Sequence, residues 1–431
     1  MRCWPNKEAE RKGFTDSRTQ IKGLRKMIYK ILKKMYSFFE KNYNKCKRKI
    51  YSERYSLIRD AEKVFECIRT IEEERFEEFE IPNIYDYTYD AKMTVKCPAI
   101  KIFHMKDAIV SAHSDIIVTD KGVSWRKIES PLFSKSNPTD YDFVSLQGDA
   151  IWVQKKKTIK ILDGNNFSLL GQFDYLWSHF LMQFFPKLVY ASENGLLDKQ
   201  IRILIPEVTD QNVIDAIHII IDKYSNVELY SVKVGVGYKC ENLYYVNAVD
   251  MYTNDADFQI TQDTLIPRCT IDAIRRGLVD EILKIENCKT YPQKLYLIRR
   301  DVMRTLVNWR EVEEYFRQQG FSLIEGKELN LVDKIFMFNQ ATEIVGVGSG
   351  AFFSTIACEN AKLLIFSNIQ RTVEATALNL VSGKNNTMLC VMGEDEFSSK
   401  SNHLHTSFYI PLKKIKAAYQ SLIVNERNEE K

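Results

Sequence analysis

The sequence predicts an α/β protein built from two successive units of alternating strands and helices. From residue 171 onward, short apolar strands alternate with amphipathic helices, and the alternation restarts after a largely helical stretch at 267–289. A chain of 431 residues, 45% of them hydrophobic, is also longer than a single core usually supports. We therefore expect two Rossmann-type lobes, at 171–266 and 290–431, whose strand C-termini face a cleft.

Residues 1–90 are predicted to form a basic, helical extension. Residues 1–55 carry 17 Lys and Arg against 5 Asp and Glu, a charge of +12, so the rest of the chain carries −8 of the net +4. This confinement of the basic charge argues against a nucleic-acid partner.

Residues 21–39 place apolar side chains on one helical stripe and lysines and arginines around the remainder. One interpretation is a helix that lies on an anionic membrane surface. The other is a helix that packs against the acidic stretch "RTIEEERFEEFE" at 69–80, which we also expect to be helical.

Residues 91–170 are predicted to form a small β-rich unit of short strands separated by turns. Asp120–Lys121–Gly122 and Asp163–Gly164–Asn165 are typical of hairpin turns. The first lobe then follows with strands "IRILIP", "VELYSV" and "NLYYVN" and helix "QNVIDAIHIIIDKY". The second lobe, after the linker helix at 267–289, runs from strand "KLYLIRR" through "EIVGV" to the terminal helix "LKKIKAAYQSL".

The nine cysteines are odd in number, widely spaced and without a CxxC pair, which favours a reducing compartment and argues against structural zinc. We find neither a signal-peptide pattern nor an apolar run long enough to span a bilayer. The expected location is cytoplasmic, soluble or peripheral on the inner face of the cell membrane.

The turn "VGVGSGA" at 345–351 is the first candidate site. Its glycines let the backbone approach a ligand closely, and the N–H groups of a following helix favour a phosphate. The alternative is a tight strand-to-helix turn that requires glycine for its geometry alone. The nucleophile elbow and the phosphate-binding loop with its lysine both fail here, and a dinucleotide fingerprint lacks the acidic residue for the ribose. The candidate ligand-binding residues are Gly346, Gly348, Ser349, Gly350, Ser354 and Thr355.

A cluster of basic residues follows strand "KLYLIRR" in the same lobe. Guanidinium groups at a strand end suit a diphosphate, whose charge they neutralise without a metal. A single arginine here could equally be paired on the surface. The cluster consists of Arg299, Arg300 and Arg304, with Asn308 beside them.

His179 opens an apolar helix in the other lobe, within "FDYLWSHFLMQFFPKL". With a partner such as Asp174 it could deprotonate a hydroxyl group, because its unperturbed pKa is near neutrality. The alternative is a packed or capping histidine.

Two further motifs have a metal-binding spacing. "NDAD" at 254–257 contains D-x-D, and His403 and His405 lie two residues apart. A solvated loop and a surface strand edge explain them as well, so we expect neither a metal nor a bound cofactor.

In their order and spacing, these segments resemble glycosyltransferase family 61 over about residues 108–422. The resemblance is carried by "WSHFLMQFFPKL", "YLIRRDVMRTLVNWREV" and "FNQATEIVGVGSGAFFSTI". The strand-rich approach "AIVSAHSDIIVTDKGVSW" is also similar. Positions that match family motif residues are His179, Pro186, Leu188, Arg299, Arg304, Asn308, Glu311 and Ala341.

The resemblance implies a GT-B-type, metal-independent, inverting glycosyltransferase with its nucleotide-sugar donor on the C-terminal lobe. Bacterial members often act in capsular or other surface-polysaccharide synthesis, so a glycan or lipid-linked glycan acceptor is implied. Leu176, Gln183, Trp309 and Lys334 depart from the family pattern. The alternatives are an NAD-dependent two-lobed oxidoreductase and a catalytically degenerate, membrane-docked scaffold.

Overall fold

The computed structural model describes residues 51–80, 83–86, 92–125, 140–207, 209–247, 249–253, 263–300, 305–326, 328–368, 385–395 and 406–424. The predicted basic helix at 21–39, the "NDAD" loop, Arg304, His403 and His405 lie outside these residues. The chain divides into two compact units. The described part of the first consists of 51–55 and 142–155, and the second holds all other described residues.

The structure is a mixed α/β protein. Its strands are β1 (Ser52–Ile58), β2 (Glu66–Glu72), β3 (Arg75–Glu80), β4 (Asn83–Ile84), β5 (Lys92–Cys97), β6 (Ile100–Val110), β7 (Ile116–Thr119), β8 (Gly122–Trp125), β9 (Phe143–Gln147), β10 (Ala150–Gln154), β11 (Ile159–Ser168), β12 (Ile201–Pro206), β13 (Val227–Val232), β14 (Gly237–Val246), β15 (Met251–Thr253), β16 (Asp263–Leu265), β17 (Lys294–Leu297), β18 (Ser322–Ile324), β19 (Glu343–Val347), β20 (Lys362–Asn368), β21 (Thr387–Asp395) and β22 (Phe408–Tyr409).

Eight α-helices are described. They are α1 (Trp177–His179), α2 (Phe185–Glu193), α3 (Gln211–Ile221), α4 (Arg268–Ile274), α5 (Asp280–Leu283), α6 (Trp309–Gln318), α7 (Leu331–Gln340) and α8 (Leu412–Val424). Single π-helical turns join α1 to α2 at Phe180–Phe184 and α4 to α5 at Arg275–Val279. In the part of the chain that the structure describes, no helix is both long and apolar enough to span a bilayer.

The first unit is small. Its strands β9 and β10 pair antiparallel through a turn at Gly148, which adopts a left-handed φ of 59°. Lys155 forms an ion pair with Glu53 at 2.9 Å, and the Arg54 guanidinium lies 5.9 Å from the centre of the Trp152 ring.

The second unit contains two large sheets. In the first, β13, β12, β11 and β14 are parallel, and β6, β7 and β8 continue the sheet with antiparallel pairings, while β2 pairs with β6. Strands β6, β7, β8 and β11 of the segment at 91–170 therefore share one sheet with β12, β13 and β14 of the segment at 171–266. The hairpin predicted at Asp120–Gly122 is present, because Thr119 pairs with Gly122 across it.

The second sheet has the order β18-β17-β19-β20-β21, and all of these strands are parallel, as the alternation of strands and helices predicts. Two short strands, β4 and β22, also pair with β21. The largest buried core contains residues of both sheets and of the linker helix between them, including Ile203, Ile274 and Leu295. The linker helix predicted at 267–289 is observed as α4, its π turn and α5.

The helical prediction for residues 69–80 is wrong. They form the end of β2 and all of β3, which pair with β6 and β5. Glutamate favours helices in isolation, but backbone pairing with strands that are distant in sequence overrides that preference.

The hairpin predicted at Asp163–Gly164–Asn165 is also wrong, because β11 continues straight through it. Between Leu162 and Asn165, β11 gains one residue relative to β14 and forms a bulge. Gly164 takes a φ of 65° there, and its N–H donates to Glu241 Oε2 at 2.7 Å. Asp107 on β6, at the same level of the sheet, has a φ of 53°. Gly164 in this motif therefore marks a bend in neighbouring strands, not a hairpin turn.

Candidate active site

The glycine loop follows β19 at the C-terminal edge of the second sheet. Gly348 donates its N–H to the Phe366 carbonyl at 2.9 Å, and Ser349 precedes a 3-10 helix at Gly350–Ala357. The helix predicted here is therefore of the tighter 3-10 type. A Cβ at Gly346 would lie 2.7 Å from the Leu297 carbonyl oxygen, whereas one at Gly348 would meet nothing closer than Ile365 at 3.4 Å. Gly346 serves strand packing, and Gly348 leaves its surface open.

Arg299 brings the arginine cluster to this loop. It follows β17, the strand beside β19, and its Nη1 donates to the Gly348 carbonyl at 3.0 Å. Two of the three sequence motifs therefore meet at one edge of the sheet.

Arg300 and Asn308 are directed elsewhere. Arg300 forms an ion pair with the buried Glu313 at 2.8 Å, and its guanidinium lies 4.8 Å from the centre of the Trp309 ring. Asn308 donates through Nδ2 to the Ile410 carbonyl at 2.9 Å. Both side chains anchor the start of α6, so the structure gives them structural partners instead of bringing them to the glycine loop.

The hydroxyl groups predicted at Ser354 and Thr355 are not presented to a ligand. Both residues are buried, and Thr355 Oγ1 donates to the Phe352 carbonyl at 2.6 Å within its own 3-10 helix. This corrects the prediction that these two hydroxyls are additional donors for a phosphate.

The third motif meets the glycine loop at Gly350. A Cβ on Gly350 would lie only 3.0 Å from Ser178 Oγ and 3.3 Å from Ser178 Cβ. Ser178 belongs to α1, which follows β11 of the first sheet and also contains His179. Residues of the three motifs, distant in the sequence, therefore lie close to one another.

Lys334 and Trp177 add hydrogen-bond donors at this convergence. Lys334 is only 5% exposed, and its ammonium lies 4.9 Å from the centre of the Trp177 ring. Burial lowers the pKa of Lys334. Among the described residues no group accepts a hydrogen bond from the buried Nε1 of Trp177, and the charge of Asp210 opposes the effect of burial on the pKa of Lys334. A donor without an acceptor, beside an ammonium, suits a ligand that carries anionic or carbonyl oxygens.

His179 is linked to a buried carboxylate through an amide. Its Nδ1 lies 3.4 Å from Gln183 Oε1, and Gln183 Nε2 donates to Asp250 Oδ2 at 2.8 Å. Gln183 and Asp250 are both buried. Gln183 lies in the π-helical turn, a local widening that often occurs at functional sites.

Asp174, which the sequence paired with His179, contacts His113 instead. Asp174 Oδ1 lies 2.6 Å from His113 Nδ1, and Oδ2 accepts the backbone N–H groups of His113 and Gly171, each at 3.1 Å. Burial raises the pKa of the Asp174 carboxyl, and the hydrogen bonds from His113 and the two backbone groups oppose that rise.

His113 is the site residue that sequence reasoning missed. It follows β6, and a left-handed φ of 63° turns it toward Asp174. Its ring meets Tyr175 edge-on at 4.8 Å and Tyr141 at 6.2 Å, and both tyrosines are exposed by about 40%. The available signal was a lone histidine after a strand in "SAHSD".

The described residues contain no group of three or more His, Cys, Asp and Glu side chains arranged to hold a metal ion. Among its seven described cysteines the protein has no disulfide.

Comparison with known families places this geometry in context. The sequence model of the family Glycosyltransferase 61 matches residues 177–365, from α1 through Arg299 and the glycine loop to β20. No curated protein matches the chain. The matched segment begins at the tryptophan that contacts Lys334 and contains all three converging motifs. The match over residues 177–365 supports membership of the glycosyltransferase 61 family, the family that the sequence motifs resemble.

Proposed function

We propose that this protein is an inverting, metal-independent glycosyltransferase of the GT-B type that uses a nucleotide-sugar donor. One observation carries the proposal: Arg299 is bonded to the glycine loop at Gly348, and the loop lies against Ser178 at Gly350. A donor bound there would contact the second sheet through its nucleotide and would point its sugar toward the first sheet.

The donor's diphosphate is the part of the ligand that this convergence suits best. The Arg299 guanidinium supplies positive charge at Gly348 of the loop, and the Lys334 ammonium and the Trp177 N–H lie beside Ser178, which approaches the same loop at Gly350. Such fixed donors stabilise the negative charge that develops on a departing diphosphate. Lys334 stands where the resemblance leads us to expect glutamine, so this chain adds one positive charge to its donor site.

In the proposed reaction an acceptor hydroxyl loses its proton to a base and attacks the anomeric carbon. The attack comes from the face opposite the nucleotide, so the configuration inverts. The bond between the anomeric carbon and the phosphate oxygen breaks, and its electron pair leaves with the nucleoside diphosphate. The sequence selects His179 as the base, with an acceptor hydroxyl on the side of the first sheet.

The acceptor in this proposal is a glycan or a lipid-linked glycan in surface-polysaccharide synthesis. The protein would act in the cytoplasm, with residues 21–39 on the inner membrane surface. The family resemblance supports the proposed acceptor class, and the charge of residues 1–55 supports the proposed membrane contact.

Nucleotide binding tests the donor site. We expect UDP, GDP or another nucleoside diphosphate to raise the melting temperature of the protein, and a panel of their sugar conjugates to identify the donor. Arg299→Lys keeps the charge but loses the planar fork, so it should weaken binding of the stabilising nucleotide by about tenfold or more. Lys334→Gln should also weaken it.

The matched control is Arg317→Lys, on the exposed side of α6, where Arg317 pairs with Glu314. It should leave nucleotide affinity unchanged. Equal affinity in Arg299→Lys and the unmodified protein would rule out the proposed donor site. Stabilisation by NAD alone would favour the oxidoreductase alternative.

A further inference from the structure

We propose that His113, oriented by Asp174, is the catalytic base that accepts the proton of the acceptor hydroxyl, and that Tyr141 and Tyr175 flank the acceptor sugar. This inference rests on the proposed glycosyltransferase reaction and assigns to His113 the role that sequence reasoning gave to His179.

The first argument is the contact between His113 and Asp174. Asp174 is 1% exposed, and three hydrogen bonds fix its carboxylate, one of them to His113 Nδ1 at 2.6 Å. A carboxylate at Nδ1 selects the tautomer whose Nε2 carries no proton. Nε2 can then take a proton, and the carboxylate stabilises the imidazolium that forms.

The second argument is the contrast with His179. Its Nδ1 lies 3.4 Å from the neutral amide of Gln183, and the Asp250 carboxylate lies beyond that amide. A carboxylate at His113 Nδ1 stabilises an imidazolium more than the amide at His179 Nδ1 does. This proposal assigns His179 a positioning role.

The third argument is the surface around His113. Tyr141 and Tyr175 are 42% and 37% exposed. Both rings form T-shaped contacts with the imidazole, and their exposed parts offer aromatic surface to the apolar C–H groups of a sugar. Phe173, 38% exposed, continues this surface, and its ring centre lies 4.8 Å from that of His179. Exposed aromatic side chains thus lie beside both His113 and His179.

The loop that carries His113 is held rigidly. Asp140 accepts the Ser114 hydroxyl at 2.6 Å and the Asp115 N–H at 2.8 Å. Besides Asp174, the ionisable side chains shown in contact with the His113 ring are Tyr141 and Tyr175; Asp115 and Asp140 belong to the neighbouring backbone contact, and Lys156 lies 5.6 Å from the centre of the Tyr141 ring. This order keeps the base in place before the substrate arrives.

In the proposed step the acceptor O–H proton moves to His113 Nε2 while the acceptor oxygen bonds to the anomeric carbon. The bond from that carbon to the donor phosphate breaks, and the nucleoside diphosphate leaves with the electron pair. The imidazolium then returns its proton to solvent.

The test compares His113→Asn with His179→Gln. Asparagine tolerates a left-handed backbone, so His113→Asn should keep the fold. The assay measures nucleoside diphosphate release from the nucleotide sugar that stabilises the unmodified protein, with water and with p-nitrophenyl glycosides as acceptors.

For His113→Asn we expect donor affinity within twofold of the unmodified protein, a fall in kcat of at least about a hundredfold, and loss of the acidic limb of the pH–rate profile. Asp174→Asn should also lower kcat at unchanged donor affinity. A purely structural role for Asp174 would instead change the melting temperature and leave the pH profile intact. His179→Gln should lower kcat by less than tenfold.

His218→Gln is the matched control, because His218 pairs with Asp222 on the exposed face of α3. This change should leave donor affinity, kcat and the pH–rate profile unaltered. The inference is overturned if His113→Asn keeps more than a tenth of kcat and the acidic limb of the pH–rate profile. If His179→Gln instead loses kcat and that acidic limb, His179 is the base. If the unmodified protein binds no nucleotide sugar, the proposed function is wrong, and so is this inference, which rests on it.

Discussion

The two glycines on either side of Val347 have different reasons for being glycine. At Gly346 a Cβ would press into the backbone of the neighbouring strand β17, 2.7 Å from the Leu297 carbonyl oxygen. At Gly348 the same atom would make an ordinary contact with Ile365 at 3.4 Å. One glycine is needed to form the sheet, and the other leaves room for a ligand.

This difference predicts opposite results for a matched pair of variants. Gly346→Ala should lower the free energy of unfolding by roughly 2–3 kcal/mol, because two strands must move apart. Gly348→Ala should lower it by less than about 1 kcal/mol yet weaken binding of the stabilising nucleotide. Urea unfolding and nucleotide titration measure the two effects. Equal destabilisation by both changes would contradict this account.

The three motif segments meet in the structure, at Arg299, the glycine loop and the helix of His179, while several side-chain partners differ from those expected from the sequence. The sequence could not assign Asp174 to His113, because their contact depends on how chain segments 61 residues apart fold together. The sequence also could not predict that Arg300 pairs with Glu313, because packing in the folded protein decides which charged side chains meet.

At the scale of elements, periodicity predicted the parallel strands and their helices, because apolar runs flanked by helices have few alternative arrangements. The sequence patterns gave wrong predictions where one pattern is compatible with two different local structures. "DGN" is typical of a hairpin turn, but in β11 it forms a bulge whose extra residue bends the sheet. "RTIEEERFEEFE" favours a helix locally, yet strand partners far along the chain decide its structure.

The bulge yields a prediction of its own. Glu241 on β14 accepts the Gly164 N–H at 2.7 Å, a backbone group that the ladder leaves unpaired. Glu241→Ala should therefore lower the free energy of unfolding by about 0.5–1 kcal/mol. Glu228→Ala is the control, because Glu228 pairs with Arg202 at 3.3 Å on the surface and caps no bulge. Urea unfolding measures the free energy of unfolding of both variants. A larger loss of that free energy in Glu228→Ala than in Glu241→Ala would refute the role of Glu241.

At the scale of the whole molecule, charge separates the two ends of the chain. Residues 1–55 carry +12 and the remainder −8. A basic segment on an acidic protein is suited to an anionic membrane, where each lysine or arginine near the surface contributes about 1 kcal/mol. It is equally suited to an acidic partner surface on the protein itself.

Deletion of residues 1–45 distinguishes these two uses. We expect the full chain to sediment with vesicles that contain phosphatidylglycerol and the shortened chain to stay in solution. Vesicles of phosphatidylcholine alone, which lack net charge, should bind neither form. If the shortened chain binds anionic vesicles as well as the full chain does, the packed-helix interpretation is favoured.

The path of the chain between the two large sheets has a mechanical consequence. Strand β4 pairs with Leu389 and Cys390 of the second sheet, although β2 before it and β6 after it belong to the first. The linker formed by α4 and α5 is a separate connection between the same sheets. The two sheets are therefore tied together at β4 as well as through α4 and α5, and they also share the largest buried core. Separating them would expose that core, so this arrangement favours unfolding of both sheets in one step.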